Sequence, residues 1–310
     1  MTNKISVIIP VFNEEKHIQK SIEAIIKVLT DNNISHRLVI IDDGSTDKTW
    51  SILKILTSKY TDFNAIKLSR NFGKEAALSA GLDASPNSTC ITMDCDLQHP
   101  PSLIPKLVKL WKEGGYEVVE AIKIFRGNEK LINQLSASFF YTILHKLSGF
   151  NLDGASDYKL LDAKVVAAWS SMGERDTFFR GMSAWSGFKR TQVPFVVANR
   201  VDGKSKWSIF RLFKLSLTAI TSFSSIPLHI VTFTGIVFLL GSVALAIQTL
   251  YMKFSGTAVS GFTTVILLLL IIGSALMISL GIIGVYIAKI FDEVKHRPRY
   301  LVSEKINNGE

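Results

Sequence analysis

Two runs near the C-terminus, Leu228 to Met252 and Phe262 to Ala288, contain no Asp, Glu, Lys or Arg. Each is long enough to cross a hydrocarbon core of roughly 30 Å as a helix. One such run alone could be the central helix of a soluble core. Two in succession, joined by a short stretch with Ser255, Gly256, Ser260 and Gly261, read as a membrane hairpin. A 47% hydrophobic content is high for a wholly soluble chain and agrees with that reading. Lys204, Lys206, Arg211 and Lys214 precede the first run, Lys289, Lys295, Arg297 and Arg299 follow the second, and Lys253 lies between them. By the positive-inside rule both ends belong in the cytoplasm. Between Trp207 and Ser225, Phe210, Phe213, Leu217 and Ile220 recur at helical spacing with Arg211, Lys214 and Thr218 on another face, as in a helix lying at the interface. Met1 to Asn13 holds one short apolar run broken by Pro10 and Asn13, too short for a signal-peptide core.

The first half has a different texture. Short β-branched runs at Ile5 to Val11, Arg37 to Asp42, Ala65 to Leu68 and Thr89 to Asp94 alternate with helical spacing over Lys16 to Asn32, Lys48 to Tyr60, Lys74 to Ala84 and Ser102 to Glu113. A further strand is expected over Glu117 to Ala121. That alternation is what a parallel sheet covered by helices imposes on a sequence, and it predicts an α/β nucleotide-binding type of domain. Ligands of such open sheets bind beyond the carboxyl ends of the strands. Three polar clusters fall there: Pro10 to Glu14, Asp42 to Asp47, and Asp94 to Gln98.

Asp94 and Asp96, separated by one residue at a strand end, can both turn towards a divalent cation, and hard oxygen ligands suit Mg²⁺ or Mn²⁺. Such a cation would hold a diphosphate, with Gln98 oriented on it. Charge that builds on a departing nucleoside diphosphate is then stabilised most in the transition state. Arg200, Lys204 and Lys206, in a Gly-containing loop, are candidates for the basic half of that clamp or else a solvated loop at the membrane surface. Asp42 or Asp43 can accept hydrogen bonds from a base or ribose, whereas Ser45 to Asp47 are explained by helix capping. Cys90 and Cys95 have no companions for a zinc site and read as reduced core thiols. The net charge of +9 suits an anionic partner, but nucleic acid is disfavoured, because the basic residues crowd near the apolar runs and no nucleic-acid motif is present.

The stretches Val-Ile-Ile-Pro-Val-Phe-Asn-Glu (7–14), Asp-Asp-Gly-Ser-Thr-Asp (42–47), Leu-Ser-Arg-Asn-Phe-Gly-Lys-Glu-Ala-Ala-Leu (68–78) and Asp-Cys-Asp-Leu-Gln-His-Pro-Pro (94–101) resemble the polyisoprenyl-phosphate glycosyltransferases. That family includes bactoprenol glucosyltransferases and dolichyl-phosphate mannose synthases. Glu174-Arg175, Arg180-Gly181, Trp185, Gly187, the loop Gly203 to Trp207, and Ile220 to Ser224 match as well, so the resemblance covers nearly the whole chain.

The resemblance implies a GT-A (Rossmann-like) fold for the catalytic domain, expected over residues 1–203; the spacing, apolar runs and charges add a juxtamembrane amphipathic helix over 204–225, a transmembrane hairpin over 226–290 and a basic cytoplasmic tail over 291–310. It implies an inverting transfer from a nucleotide-sugar to a polyisoprenyl phosphate such as undecaprenyl phosphate, with UDP-glucose the first donor to expect. Asp94, Asp96 and Gln98 would hold the metal. Pro10, Asn13, Glu14 and Asp42 or Asp43 would contact base and ribose, with Arg200 and Lys206 towards the diphosphate. Asp157, in Ala155-Ser156-Asp157-Tyr158-Lys159-Leu160-Leu161, is the candidate base or positioning carboxylate beside Asp96 at the reacting centre. Ser156 and Lys159 depart from the family's usual glycine and arginine, which bears on any bidentate phosphate contact there. Lys123 and Arg126 are the candidates for the acceptor phosphate, in a region poorer in basic residues than the family's pattern. The expected partners are a nucleotide-sugar, a polyisoprenyl phosphate and the lipid bilayer, with self-association of hairpins also expected. Two other functions fit parts of the pattern: transfer to a polysaccharide or glycolipid hydroxyl, and non-catalytic sensing of nucleotide-sugars.

Overall fold

The computed structural model describes residues 4–96, 99–124, 156–174, 178–196, 226–256 and 261–308. They belong to two compact units, one within Met1–Leu212 plus Pro298–Glu310 and one within Phe213–Arg297.

The first unit is built on an eight-stranded sheet. Its strands are β1 (Ile5–Val11), β2 (His36–Asp42), β3 (Phe63–Leu68), β4 (Cys90–Thr92), β5 (Val118–Ile124), β6 (Lys159–Leu161), β7 (Arg190–Val196) and β8 (Val302–Asn308), in the order β7-β5-β6-β4-β1-β2-β3-β8. β4, β1, β2 and β3 run parallel, β6 lies antiparallel to both β4 and β5, β5 pairs parallel with β7, and β8 closes the far edge antiparallel to β3. Central strands covered on both faces read as unbroken apolar runs. Val7, Ile8 and Ile9 of β1, and Val39, Ile40 and Ile41 of β2, are accordingly buried.

Four helices follow the first four strands: α1 (Ile18–Asp31), α2 (Thr49–Lys59), α3 (Lys74–Asp83) and α4 (Ile104–Gly114), with a 3-10 turn over Pro101–Leu103 ahead of α4. In α1 the buried residues Ile18, Ser21, Ile22, Ile25 and Leu29 form one helical stripe facing the sheet. Gly115, in the left-handed region at φ 61°, ends α4. Among the described residues the unit also holds two short helices, α5 (Ala163–Ser171), capped by Asp162, and α6 (Phe179–Trp185). Cys90 and Cys95 are free and buried, as expected of core thiols.

The chain leaves β1 for β2 and β3 on one side and returns to β4 on the other. The carboxyl ends of β1 and β4 are therefore a topological switch point, where open α/β sheets leave a crevice.

β8 corrects one expectation. The basic stretch after the second apolar run is not a separate tail over 291–310: Pro298–Glu310 belongs to the first unit, and β8 completes its sheet. Trp50 Nε1 donates to Glu304 Oε2 at 3.0 Å, Ser69 N donates to the Leu301 carbonyl at 2.8 Å, and Tyr300 donates its hydroxyl hydrogen to Asp83 Oδ2 at 2.9 Å. β8 lies at an edge with most of its side chains exposed, so it has no apolar face for a sequence reading to detect.

The second unit contains α7 (Ile226–Phe254) and α8 (Phe262–Val294). Both are long and apolar enough to cross a membrane: the most apolar 18-residue stretch has a mean hydropathy of 2.4 within Leu228–Phe254 and 2.6 within Leu268–Val294. α8 outruns the expected span because Lys289 to Val294 continue the helix past the apolar run. Large apolar side chains such as Phe233, Leu240, Leu270 and Met277 are exposed around both helices. The expected amphipathic helix at 207–225 lies outside the described residues.

Candidate active site

At the switch point a cleft of ≈ 690 Å³ is lined by Pro10, Val11, Phe12 and Glu14 after β1, Asp43 after β2, Asn71, Gly73, Lys74 and Ala77 at the start of α3, and Asp94, Cys95 and Asp96 after β4. That volume lies within the range of small-molecule sites, roughly 300–1,000 Å³.

The walls are held by polar contacts between loops. Asn13, at φ 55°, donates its backbone N–H to Ser45 Oγ at 2.9 Å and accepts one from Thr46 at the same distance through Oδ1. Glu14 N donates to Thr49 Oγ1, and Ser45 N donates to Asp42 Oδ1. Asp43 accepts from the amides of Phe72 and Gly73 at 2.7 and 2.9 Å, which fixes the entry to α3. Gly44, at φ 70°, lies so close to this segment that a Cβ would stand 2.4 Å from the Arg70 carbonyl carbon. Ser45 to Asp47 therefore join the β1 and β2 loops as well as starting α2. Burial raises the carboxyls of Asp42 and Asp43 against these hydrogen bonds.

Behind this front lies a charged cluster. The carboxylate of Asp157 is bound on both oxygens by Arg180, Nε to Oδ1 at 2.7 Å and Nη2 to Oδ2 at 2.9 Å. Lys74 Nζ stands 2.6 Å from Asp157 Oδ2 and 2.5 Å from Asp94 Oδ1. β6 brings Asp157 here: its antiparallel pairing sets Lys159 opposite Thr92, and Thr92 Oγ1 donates to the Asp157 carbonyl at 2.5 Å. Burial alone would raise Asp157, but Arg180 and then Lys74 hold its carboxyl well below the usual range. Asp94 is lowered by Lys74 against its own burial. Lys74 would be lowered by burial, yet Asp157 and Asp94 push it up. Glu14 is raised, first by burial and then by Asp96, Asp47 and Asp94, against the pull of His17.

The turn carrying Asp94 has its own support. Asp94 N donates to His99 Nδ1 at 3.1 Å, which makes Nδ1 the acceptor, and the His99 ring stacks on Tyr158 at 5.2 Å. Tyr158 donates its hydroxyl hydrogen to the Pro100 carbonyl at 3.2 Å. On the α6 side Lys159 is fully buried against Glu120, Nζ to Oε1 at 2.7 Å, and contacts Ser183. It is thus committed to an internal pair and holds no place in the cleft.

Of the candidates drawn from the sequence, Pro10, Glu14, Asp43, Asp94 and Asp96 share the cleft. Asn13 and Asp42 hold its walls, and Asp157 lies behind Lys74. Lys123 is in β5, opposite Phe195 of β7, away from the β1 and β4 ends in strand order. Gln98, Arg126, Arg200, Lys204 and Lys206 lie outside the described residues. The sequence reading gave no role to Lys74, Glu75, His99 or Arg180. All four stood in matched stretches, which was the available signal.

The donor set bears on a metal. Among the described residues no three His, Cys, Asp or Glu side chains converge to enclose an ion. Two neighbouring carboxylates, Asp94 and Asp96, are what Mg²⁺ or Mn²⁺ takes from a protein when phosphate and water oxygens complete its sphere. The residues fit such an ion.

A sheet with this switch point and acidic residues from the ends of β1, β2 and β4 around one cleft is the arrangement of GT-A glycosyltransferases. The model of "Glycosyl transferase family 2" matches residues 6–168, and the chain belongs to that family. It is 38% identical over 98% of its length to the glycosyltransferase sll0501 of Synechocystis sp., covering 96% of that protein. It is 35% identical to the prophage bactoprenol glucosyl transferase homolog of Escherichia coli K12, over 96% of this chain and 98% of the other. It is 34% identical to the bactoprenol glucosyl transferase of Shigella phage SfV, over 97% and 99%. The protein is a glycosyltransferase.

Proposed function

We propose that this enzyme transfers a sugar, glucose first, from a UDP-sugar to a polyisoprenyl phosphate with inversion, at the cytoplasmic face of a membrane it spans twice. The observation that carries the acceptor class is the state of Asp157. A carboxylate bound on both oxygens by Arg180 and Lys74, and held well below its usual pKa, is a poor general base. A sugar hydroxyl needs such a base. A phosphate monoester, with a second pKa near 6, is already largely dianionic at neutral pH. Asp157 then orients Lys74 and Arg180 rather than taking a proton. The bactoprenol glucosyl transferases among the relatives support the same acceptor.

Asp94 and Asp96 would hold the divalent cation, and its chemistry, when bound, is to neutralise charge on the departing diphosphate. Glu14, Asn13 and the Asp42–Asp43 pair would receive the nucleoside, whose polar groups suit the acceptors around the cleft. Arg200 and Lys206 on the diphosphate, and Lys123 and Arg126 on the acceptor, complete the reading.

Membrane attachment follows from the substrate, because a polyisoprenyl tail stays in the bilayer. Two helices apolar all round support a hairpin. β8 supports a common side for the two flanks: chain from before and after the hairpin makes one sheet, which requires an even number of crossings. The excess of Lys and Arg in those flanks favours the cytoplasm.

The test is a panel of radiolabelled UDP- and GDP-sugars given to the detergent-solubilised full chain with a polyisoprenyl phosphate, with Mn²⁺, Mg²⁺ or chelator. Metal-dependent label in the organic phase from a UDP-sugar is the expected result. Donor binding without labelled lipid under any condition would remove the acceptor assignment.

A further inference from the structure

We infer that Lys74 is a positioning residue of the transfer site, whose ammonium ties Asp94 to Asp157 and must yield Asp94 to the divalent cation that arrives with the donor. The inference rests on the reading of Asp94 and Asp96 as the metal-holding pair.

Lys74 is the first residue of α3, after Gly73 at φ 99°. A cation at a helix N-terminus faces the positive end of the dipole, which is unfavourable. Something outside the helix has to hold it there. The holders are carboxylates from two distant parts of the chain, Asp94 after β4 and Asp157 before β6, at 2.5 and 2.6 Å from Nζ. Their exposures differ: the Asp157 side chain is 6% exposed, Asp94 28% and Lys74 40%. The ammonium thus has one internal partner, which it can keep, and one partner at the cleft surface. Lys74 lines that cleft together with Asp96.

An ammonium and a divalent cation cannot share the Asp94 Oδ1 position without strong repulsion. Lys74 therefore competes with free metal for Asp94. Once the diphosphate is present the same side chain, still held by Asp157, has an anionic partner within the cleft. Free metal is bound weakly, metal with donor strongly, and the lysine sets the difference.

The test is Mn²⁺ titration of the full chain in detergent, followed by electron paramagnetic resonance, first without nucleotide and then with UDP. Without nucleotide, Lys74→Gln and Lys74→Met are expected to bind Mn²⁺ more tightly than wild type, by up to about fivefold, the scale of losing one partly exposed competing pair. Lys74→Arg keeps the charge and is expected to match wild type. In the transfer assay the neutral variants are expected to lose kcat more than they raise the donor KM, with partial rescue in Lys74→Arg. A generally destabilised site predicts weaker Mn²⁺ binding in these variants, the opposite sign. Equal Mn²⁺ affinity in wild type and both neutral variants would overturn the inference. Absence of Mn²⁺ binding in every protein even with UDP would instead overturn the assignment of Asp94 and Asp96, and the inference with it.

Discussion

Arg180 and Asp157 meet through two hydrogen bonds, Nε to Oδ1 and Nη2 to Oδ2, with the Asp157 side chain 6% exposed. Such a pair gives little net stability while intact, but losing one partner strands a buried charge. Arg180→Gln is expected to cost about 2–4 kcal/mol, with Lys74 moderating the loss. Adding Asp157→Asn to that variant should cost less than Asp157→Asn does alone. Thermal unfolding of the four proteins measures both. The pH dependence follows from the lowered Asp157 carboxyl. Its stabilisation is complete above the unfolded value of about 4 and is lost as pH falls towards the folded value. Arg180→Gln should move that acid limb to higher pH.

Glu75 carries the opposite sign. Burial, then Asp157, lifts its carboxyl to about 7 against the Phe179 amide, which donates to Oε2 at 2.9 Å, and the charges of Arg180 and Lys74. Between about 4.5 and 7 the folded protein keeps a proton that the unfolded chain releases, so stability falls as pH rises through that window. Glu75→Gln keeps the acceptor for Phe179 and removes the titration. It should be more stable than wild type at pH 8, by up to about 3 kcal/mol, and equal to it near pH 4. Unfolding midpoints across pH 4–8 check this.

Gly81 fixes α3 against the sheet, since a Cβ there would stand 2.2 Å from Ile8 Cγ2. Gly81→Ala is expected to cost about 1–3 kcal/mol through overpacking. Because Lys74 begins the same helix, transfer should fall with stability. Ile8→Ala in the same chain removes the clashing methyl and should recover part of what Gly81→Ala loses, as a double-mutant cycle of unfolding midpoints would show.

β8 covers the edge of β3, and removing it uncovers a row of unpaired backbone groups. A chain ending at Arg297 is expected to unfold at lower temperature and to aggregate. Glu304→Ala, which loses the Trp50 hydrogen bond and an exposed pair with Lys54, should leave the unfolding temperature close to that of wild type and cause no aggregation. Light scattering during thermal unfolding separates the two.

These residues also show what a sequence discloses. β1 to β4 and α1 to α4 were legible because parallel strands buried on both faces leave unbroken apolar runs, and the helices between them carry one apolar stripe. β6 was not: it has three residues, and its first, Lys159, is a buried cation whose partner Glu120 lies 39 positions earlier. β7 carries Pro194, which local rules count against a strand. In the site, clusters at strand ends could be placed together from topology alone, as Glu14, Asp43, Asp94 and Asp96 were. Lys74 could not, because a lysine opening a helix has no local electrostatic reason to be there. Its reason is Asp157, 83 positions away, brought close by the pairing of β6 with β4.

On the proposed function the acceptor arrives already ionised and the site supplies no base. The initial rate of sugar transfer from the accepted UDP-sugar to undecaprenyl phosphate and, side by side, to undecaprenol distinguishes this from base catalysis. Label is expected in the phosphate alone, abolished by chelator and by Asp96→Asn. Comparable transfer to undecaprenol would contradict the account, since it would require a base that Asp157, held between Arg180 and Lys74, cannot provide.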